Sequence, residues 1–373
     1  MPTPDYYDAP GESAVAIYST VIDIGSLPSL ALFFYILYVL LAKSPSYMYY
    51  SKWLLLNTAT SCFLYDLVIY VWKPITVPYH SFYYSNGLVK NQPGWVCVSF
   101  SAMAIIAFAN LAHSLMVYMA YRYSCILPAD EGHLLSTRRQ LVGFGLGTWV
   151  VTVISPIIVV FFSAESQSDI DAWVAEHSAS NKSVVPLLRA TIPSLASSDV
   201  SRSLIAVLGL VLTCLSCLFA GVVMSGLNVK YFRMITCGGG YSKLSERTKT
   251  LQWMLYRAQT FQLVFFFAFQ ILPVLVVVAL QLVWYVGIDI PISSYEYNSF
   301  ALAFTSFHSF TDYFSILYFI RPYREFTKVW LLYGLRLARK NSIRACRVEI
   351  SKASKATSTV SMSESGRKRT VSS

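Results

Sequence analysis

The chain has 373 residues, of which 55% are hydrophobic, 15% aromatic and only 13% charged. A soluble domain carries roughly a quarter charged residues, so this composition excludes an ordinary water-soluble fold. Apolar runs of about 20 residues predict an integral membrane protein instead, and the net charge of +10 then has to be read from where the bases lie.

The first sixteen residues hold three acids and no base. They lack the basic flank of a cleavable signal peptide, so the first apolar run is expected to stay as an anchor. Seven runs follow, each long enough to cross a bilayer as a helix: about 17–41, 53–72, 96–121, 141–162, 204–227, 261–286 and 300–320. They are apolar on nearly all sides. A lipid-facing barrel strand would alternate instead, and only helices satisfy every backbone group internally at that length. The expected fold is an all-α integral membrane protein, a seven-transmembrane helix bundle spanning 17–321, with Pro28, Pro156 and Pro273 interrupting three spans. Bundles tolerate such prolines as kinks.

Orientation follows from the cations. With the N-terminus outside and the C-terminus inside, 24 of the 29 Lys and Arg fall on the inner side, as the positive-inside rule requires. Membrane topology therefore accounts for the surplus charge, and nucleic acid is not an expected partner. Asn181 opens an Asn-Lys-Ser sequon in the long second outer loop, a glycosylation acceptor if that loop is exposed outside. After Pro322, residues 322–340 place Phe326, Trp330, Tyr333 and Leu337 on one helical face with bases beyond. That is the pattern of a short helix in the inner interface. The tail 341–373 is basic, with eleven Ser or Thr in the 23 residues from Ser351 and no aromatic there, and is expected to be disordered. Its bases suit anionic membrane lipid, and Cys346 is a candidate for palmitoylation. The seven cysteines form no disulfide framework.

A charge at mid-bilayer costs roughly 2.5–3.5 kcal/mol on insertion scales. Away from the helix ends only Asp66 and Asp312 carry that cost, with Asn57, Asn110, His113, Ser114, Gln262, Gln270, Ser306 and His308 at similar depth. Asn110, Ser114, Tyr118 and Arg122 recur every four residues on the third helix; His308, Asp312 and Ser315 share a face of the seventh. Two readings stand side by side. The acids are packing glue, hydrogen-bonded and unchanging, or Asp66, Asn110, Ser114, His308 and Asp312 form a polar switch that holds water or a cation. Arg122 at the end of the third helix, and Arg321 and Arg324 after the seventh, either snorkel to inner headgroups or meet a cytoplasmic partner.

Several function classes fall away. No lysine occurs between Lys249 and Lys328, which excludes a retinal Schiff base in the last two helices. No histidine pair has metal-ligand spacing, no nucleophile constellation stands out, and "CGGGYS" lacks the Lys-Ser ending of a phosphate loop. No enzyme, cofactor or metal site is expected. No internal repeat points to a duplicated transporter. An insect-type odorant channel keeps its N-terminus inside, against the base distribution. A receptor is expected, with a seven-helix transporter or ligand-gated channel as the alternative.

Particular stretches carry a likeness. "SPSYMYYSKWLLLN" (44–57), Asp66 nine residues on, "LQWMLYRAQTFQ" (251–262) ahead of Pro273, and Ser306, His308 and Pro322-Tyr323-Arg324 resemble the motifs of nematode serpentine chemoreceptors of class H, within the Str superfamily. Ser309 stands where that family has glycine, and Ala120-Tyr121 replaces the acidic-Asn pair before Arg122. The resemblance implies a chemosensory G-protein-coupled receptor for an odorant- or pheromone-like small molecule. It implies plasma membrane or sensory cilium as the location, and a heterotrimeric G protein meeting Arg122, Arg321, Pro322, Tyr323 and Arg324. It also implies a tail phosphorylated at Thr370 and Ser372 by a kinase and read by arrestin-like proteins. The ligand-binding residues are not evident from the sequence.

Overall fold

The computed structural model describes residues 12–76, 82–126, 138–177, 196–197, 204–237, 245–273, 275–276, 279–280 and 294–333. Helices dominate, in the order α1 (Glu12–Ala42), α2 (Tyr49–Trp72), α3 (Gly94–Ser124), α4 (Arg138–Trp149), α5 (Ser155–Ser163), α6 (Gln167–His177), α7 (Leu204–Cys237), α8 (Glu246–Phe266), α9 (Ser294–Thr305) and α10 (His308–Phe319). The seven apolar runs map onto α1, α2, α3, α4 with α5, α7, α8, and α9 with α10. Among the described residues four helices are long and apolar enough to cross a membrane: Glu12–Ala42, Tyr49–Trp72, Gly94–Ser124 and Val142–Ser163.

Two prolines leave an imprint on helix geometry. A π-helical turn, Val150–Ile154, joins α4 to α5 just before Pro156, and a second, Phe267–Ile271, extends α8 just before Pro273. Proline has no N–H to give the i−4 carbonyl. Widening one turn re-pairs the backbone, and Leu272 N–H accordingly donates to the carbonyl of Phe267, five residues back. Such bulges rotate the residues within them relative to the flanking helix.

The seventh span breaks at Ser306 and Phe307, between α9 and α10, where the sequence predicts one continuous helix. The break sits where α1 comes very close. A Cβ built on Gly25 would lie 2.2 Å from Ser306 Oγ, so any larger residue there would have to push Ser306 aside.

Packing puts α3 against α2, α5, α7 and α8, while α1 contacts α2, α9 and α10. Burial is inverted relative to a protein in water. Val222, Phe300 and Phe161 are 71%, 69% and 68% exposed, whereas Asp66, Gln262, His308 and Asp312 are buried. An apolar outside and a polar seam inside suit a helical bundle solvated by lipid.

Two short strands, which hydropathy does not predict, follow α2, and a third from beyond α6 joins them. β1 (Pro74–Thr76) pairs antiparallel with β2 (Phe82–Ser85), in register Ile75 to Tyr84, and β3 (Ala196–Ser197) adds to β2. The turn out of α2 uses Lys73 in the left-handed region at φ 44, a conformation costing a side-chain-bearing residue roughly 1–2 kcal/mol. Its ammonium offsets part of that by pairing with Asp23 of α1 at 2.6 Å. Gly87 N–H then donates to the Trp72 carbonyl at 3.1 Å and Leu88 N–H to that of Val71 at 2.8 Å.

The chain divides into two units, one reaching to Arg321 and one beginning at Pro322. The described part of the second is the remainder of a helix, α11, over residues 321–333. Val329, Trp330, Leu331, Leu332 and Tyr333 are exposed on it, and Thr327 Oγ1 donates to the Tyr323 carbonyl at 2.8 Å.

Candidate functional site

A cavity of about 430 Å³ lies in the half of the bundle that carries the strands. Among the described residues, α2 contributes Tyr65, Ile69 and Trp72, the hairpin Pro74 and Tyr83, and α3 Ser101, Ala104, Ile105 and Phe108. The π turn contributes Gln270, and α9 adds Asn298, Ala301, Leu302 and Thr305. None of these is an acid, a base or a histidine. The Tyr83 hydroxyl, outside the spans, is pushed up to about 12 by burial, so it stays neutral. The size and apolar lining fit a small-molecule site.

The cavity floor is a set of hydrogen bonds at the break in the seventh span. Thr305 Oγ1 donates to the Leu302 carbonyl at 2.7 Å, and lies 3.1 Å from Tyr65 OH. Gln270 Nε2 donates to the Thr305 carbonyl at 3.3 Å.

Directly after the break comes a buried polar cluster. His308 Nδ1 and Asp312 Oδ2 lie 4.0 Å and 3.9 Å from Cys62 Sγ on α2. The Phe266 ring meets the His308 ring edge-on, centroids 5.7 Å apart, and Gln262 of α8 faces Asp312. Asp66 stands one turn from Cys62 on the same helix. Ser29 of α1 and Ser309 of α10 are its hydroxyl neighbours, but they donate to the carbonyls of Gly25 and Cys62, at 2.9 Å and 3.4 Å. Both oxygens of Asp66, and Oδ1 of Asp312, are buried without a hydrogen-bond partner.

Asn110 and Ser114 belong to a neighbouring network on the α2–α3–α4 side. Asn57 Nδ2 donates to Ser114 Oγ, Asn110 Nδ2 to Ser61 Oγ at 2.7 Å, and Trp149 Nε1 to Asn110 Oδ1 at 3.2 Å. His113 Nε2–H donates to the Gly145 carbonyl at 2.8 Å. The five residues singled out by sequence thus fall into two sets, joined through Asn57, Ser61, Cys62 and Asp66 along α2.

At the other end of the bundle, Arg122 is buried at the end of α3, its guanidinium 5.7 Å from the Tyr118 ring centre. Nε and Nη2 have no hydrogen-bond partner, and no acid pairs with it among the described residues. Nearby Tyr231 OH on α7 donates to Gln252 Oε1 on α8 at 2.9 Å, tying the fifth and sixth spans together at this end. Arg321 belongs to the first unit, its N–H directed at Met254 Sδ of α8 at 3.0 Å. Pro322, Tyr323 and Arg324 open the second unit, where Arg324 Nε lies 3.8 Å from Glu325. Asn181, Cys346, Thr370 and Ser372 lie outside the described residues.

Residues 13–333 match the family described as serpentine type 7TM GPCR chemoreceptor Srh. The chain belongs to that family. No curated protein matches it. Among solved structures, squid rhodopsin is similar, with a TM-score of 0.54 over 89% of this chain and 90% of that one at 14% identity. At that identity the likeness shows the fold, a seven-helix bundle, and nothing of ligand.

For this Srh chain the sequence named Asp66, His308 and Asp312 but missed Cys62, which lies between the last two, and Tyr65 and Ser29. A thiol, a tyrosine and a serine cost little in an apolar helix, so nothing in their chemistry flags them. Gln270 was visible as an intramembrane amide. Its aim into the cavity depends on a π turn that periodicity does not reveal.

Proposed function

We propose that this Srh receptor binds a small odorant- or pheromone-like molecule in the 430 Å³ cavity and activates a heterotrimeric G protein at the opposite end of the bundle. It would act in the plasma membrane, in a sensory cilium, with the N-terminus outside. The observation that carries the proposal is the continuity from cavity to polar core. Thr305 forms the floor, Ser306 and Phe307 break the helix, and His308 begins the buried cluster. Ligand that shifts Thr305 turns α10 about that break and changes how Asp312 and His308 meet Cys62. A packed seam with two discrete arrangements converts such a shift into a population change at the far end.

At that end Arg122 has donors to spare and no acid to hold it among the described residues. It captures the G protein when the fifth and sixth spans separate, and Arg321, Pro322, Tyr323 and Arg324 would also meet the G protein. Anionic lipid and palmitate on Cys346 would hold the inner tail to the membrane, and phosphorylation at Thr370 and Ser372 would recruit arrestin-like proteins. Asn181 would carry glycan.

The test is nucleotide exchange on a heterotrimeric G protein, driven by the full chain in membranes exposed to a library of volatile and secreted compounds. An active compound should lose at least tenfold in maximal exchange with Arg122→Ala, with affinity little changed. Asp66→Asn and Asp312→Asn should shift basal or evoked exchange at near-normal surface expression. A compound-evoked current in a cell without G proteins would instead support the channel or transporter alternative and sink the proposal.

A further inference from the structure

The structure assigns a ligand class to this cavity: we propose that it takes uncharged molecules of about a dozen non-hydrogen atoms that donate a hydrogen bond to Gln270 Oε1. The inference rests on the receptor reading for its purpose, but not for its chemistry. At roughly 30 Å³ per water, 430 Å³ holds about 14 waters or one compact organic molecule of similar bulk.

The polarity of the floor is decided by where its protons already go. The Thr305 hydroxyl proton is used on the Leu302 carbonyl, so the 3.1 Å contact with Tyr65 must be Tyr65 donating to Thr305 Oγ1. Gln270 Nε2 donates to the Thr305 carbonyl, which can only accept. Turning the amide over would set two carbonyl oxygens against each other, so the amide orientation is fixed. What remains is Gln270 Oε1, an acceptor with no partner on a residue only 1% exposed. The Thr305 and Tyr65 hydroxyl protons and one N–H of Gln270 are spent within the floor, while Oε1 is a buried acceptor left open, so the proton it lacks has to come from the ligand.

Two further features agree. Gln270 lies within the π turn before Pro273, and the register shift of such a turn re-aims a side chain relative to a regular helix. No charged group lines the cavity among the described residues, so an ionic ligand would lose its hydration without gaining a counter-ion. Ser101 and Asn298 are only half-buried and hold no comparable unmet demand.

The experiment uses the full chain in nanodiscs and one naphthyl scaffold in four forms: 2-naphthylmethanol, its methyl ether, 2-naphthylmethylammonium and 2-naphthoate. Binding is read from naphthyl fluorescence, with protein-free discs subtracted. The alcohol should bind about five- to tenfold tighter than the ether, the worth of one neutral hydrogen bond. Both ions should bind about 100-fold more weakly or worse. Gln270→Leu should erase the preference for alcohol over ether and leave the ether's affinity in place, which a general loss of folding could not do. If that variant fails to reach the membrane, Gln270→Glu, which as a neutral acid donates to the Thr305 carbonyl and keeps the acceptor, should retain the preference for alcohol over ether. Equal binding of alcohol and ether, a preference that survives Gln270→Leu, an ion that binds like the alcohol, or no binding by any form would each overturn the assignment. G-protein exchange read in the same discs reports separately. Its failure beside an intact alcohol preference would remove the receptor reading and leave the ligand class standing.

Discussion

At the scale of the residue, the molecule depends on a few contacts with no slack. Gly25 makes one of them, because α1 passes the break in the seventh span with little room for a methyl group. Gly25→Ala sets a Cβ 2.2 Å from Ser306 Oγ, and that hydroxyl is held by its bond to the Ala303 carbonyl at 2.7 Å. The expected cost is about 1–3 kcal/mol, the range for overpacking a core. It should be read as a lower melting temperature of the purified protein in detergent. Adding Ser306→Gly removes the opposing atoms and should recover most of the loss, as a double-mutant cycle measures; additive losses would show that the close approach is not the cause. Ser309 belongs to the same seam. It stands where the family pattern has glycine, and its hydroxyl bonds the Cys62 carbonyl at 3.4 Å, so the departure links α10 to α2.

At the scale of the element, the turn that follows α2 is built to a tighter tolerance than the helices around it. A Cβ on Gly87 would lie 2.1 Å from the Val71 carbonyl oxygen, and backbone cannot step aside as a side chain can. Gly87→Ala should therefore destabilise by about 1–3 kcal/mol and loosen the hairpin that supplies Pro74 and Tyr83 to the cavity. Gly143→Ala is the matched control. Nothing lies within 4 Å of its Cβ position, and alanine favours an exposed helix by up to about 1 kcal/mol. Melting temperatures that fall equally for both would refute the distinction.

Legibility also divides by element. The spans could be read from the sequence because hydrocarbon demands long uniform helices, and apolar length records that demand directly. The strands after α2, the helix Gln167–His177 and the break at Ser306 and Phe307 could not. Each depends on a local compromise between distant segments. The sequence predicts kinks at Pro156 and Pro273, and the structure has a π turn before each, a difference of register that bears on where Gln270 lies. Asp66, His308 and Asp312 were legible because ionisable groups in lipid stand out. Cys62, which sits between the last two, was not.

At the scale of the whole molecule, cavity and inner face have meaning only if they lie on opposite sides of the membrane. Of 29 bases, 24 fall on one side when the N-terminus is placed outside, a bias strong enough to set orientation. The likeness to a seven-helix bundle and membership of the Srh family agree with a span count of seven. Polar groups are buried along α2, α8 and α10, at Asp66, Gln262, His308 and Asp312. The most direct measurement is antibody access to epitope tags at each terminus of the full chain in intact cells, with permeabilised cells as reference. The N-terminal tag should be stained without permeabilisation and the C-terminal tag only after it. Staining of the C-terminal tag on intact cells, with the N-terminal tag hidden, would place the cavity on the cytoplasmic side and contradict the account.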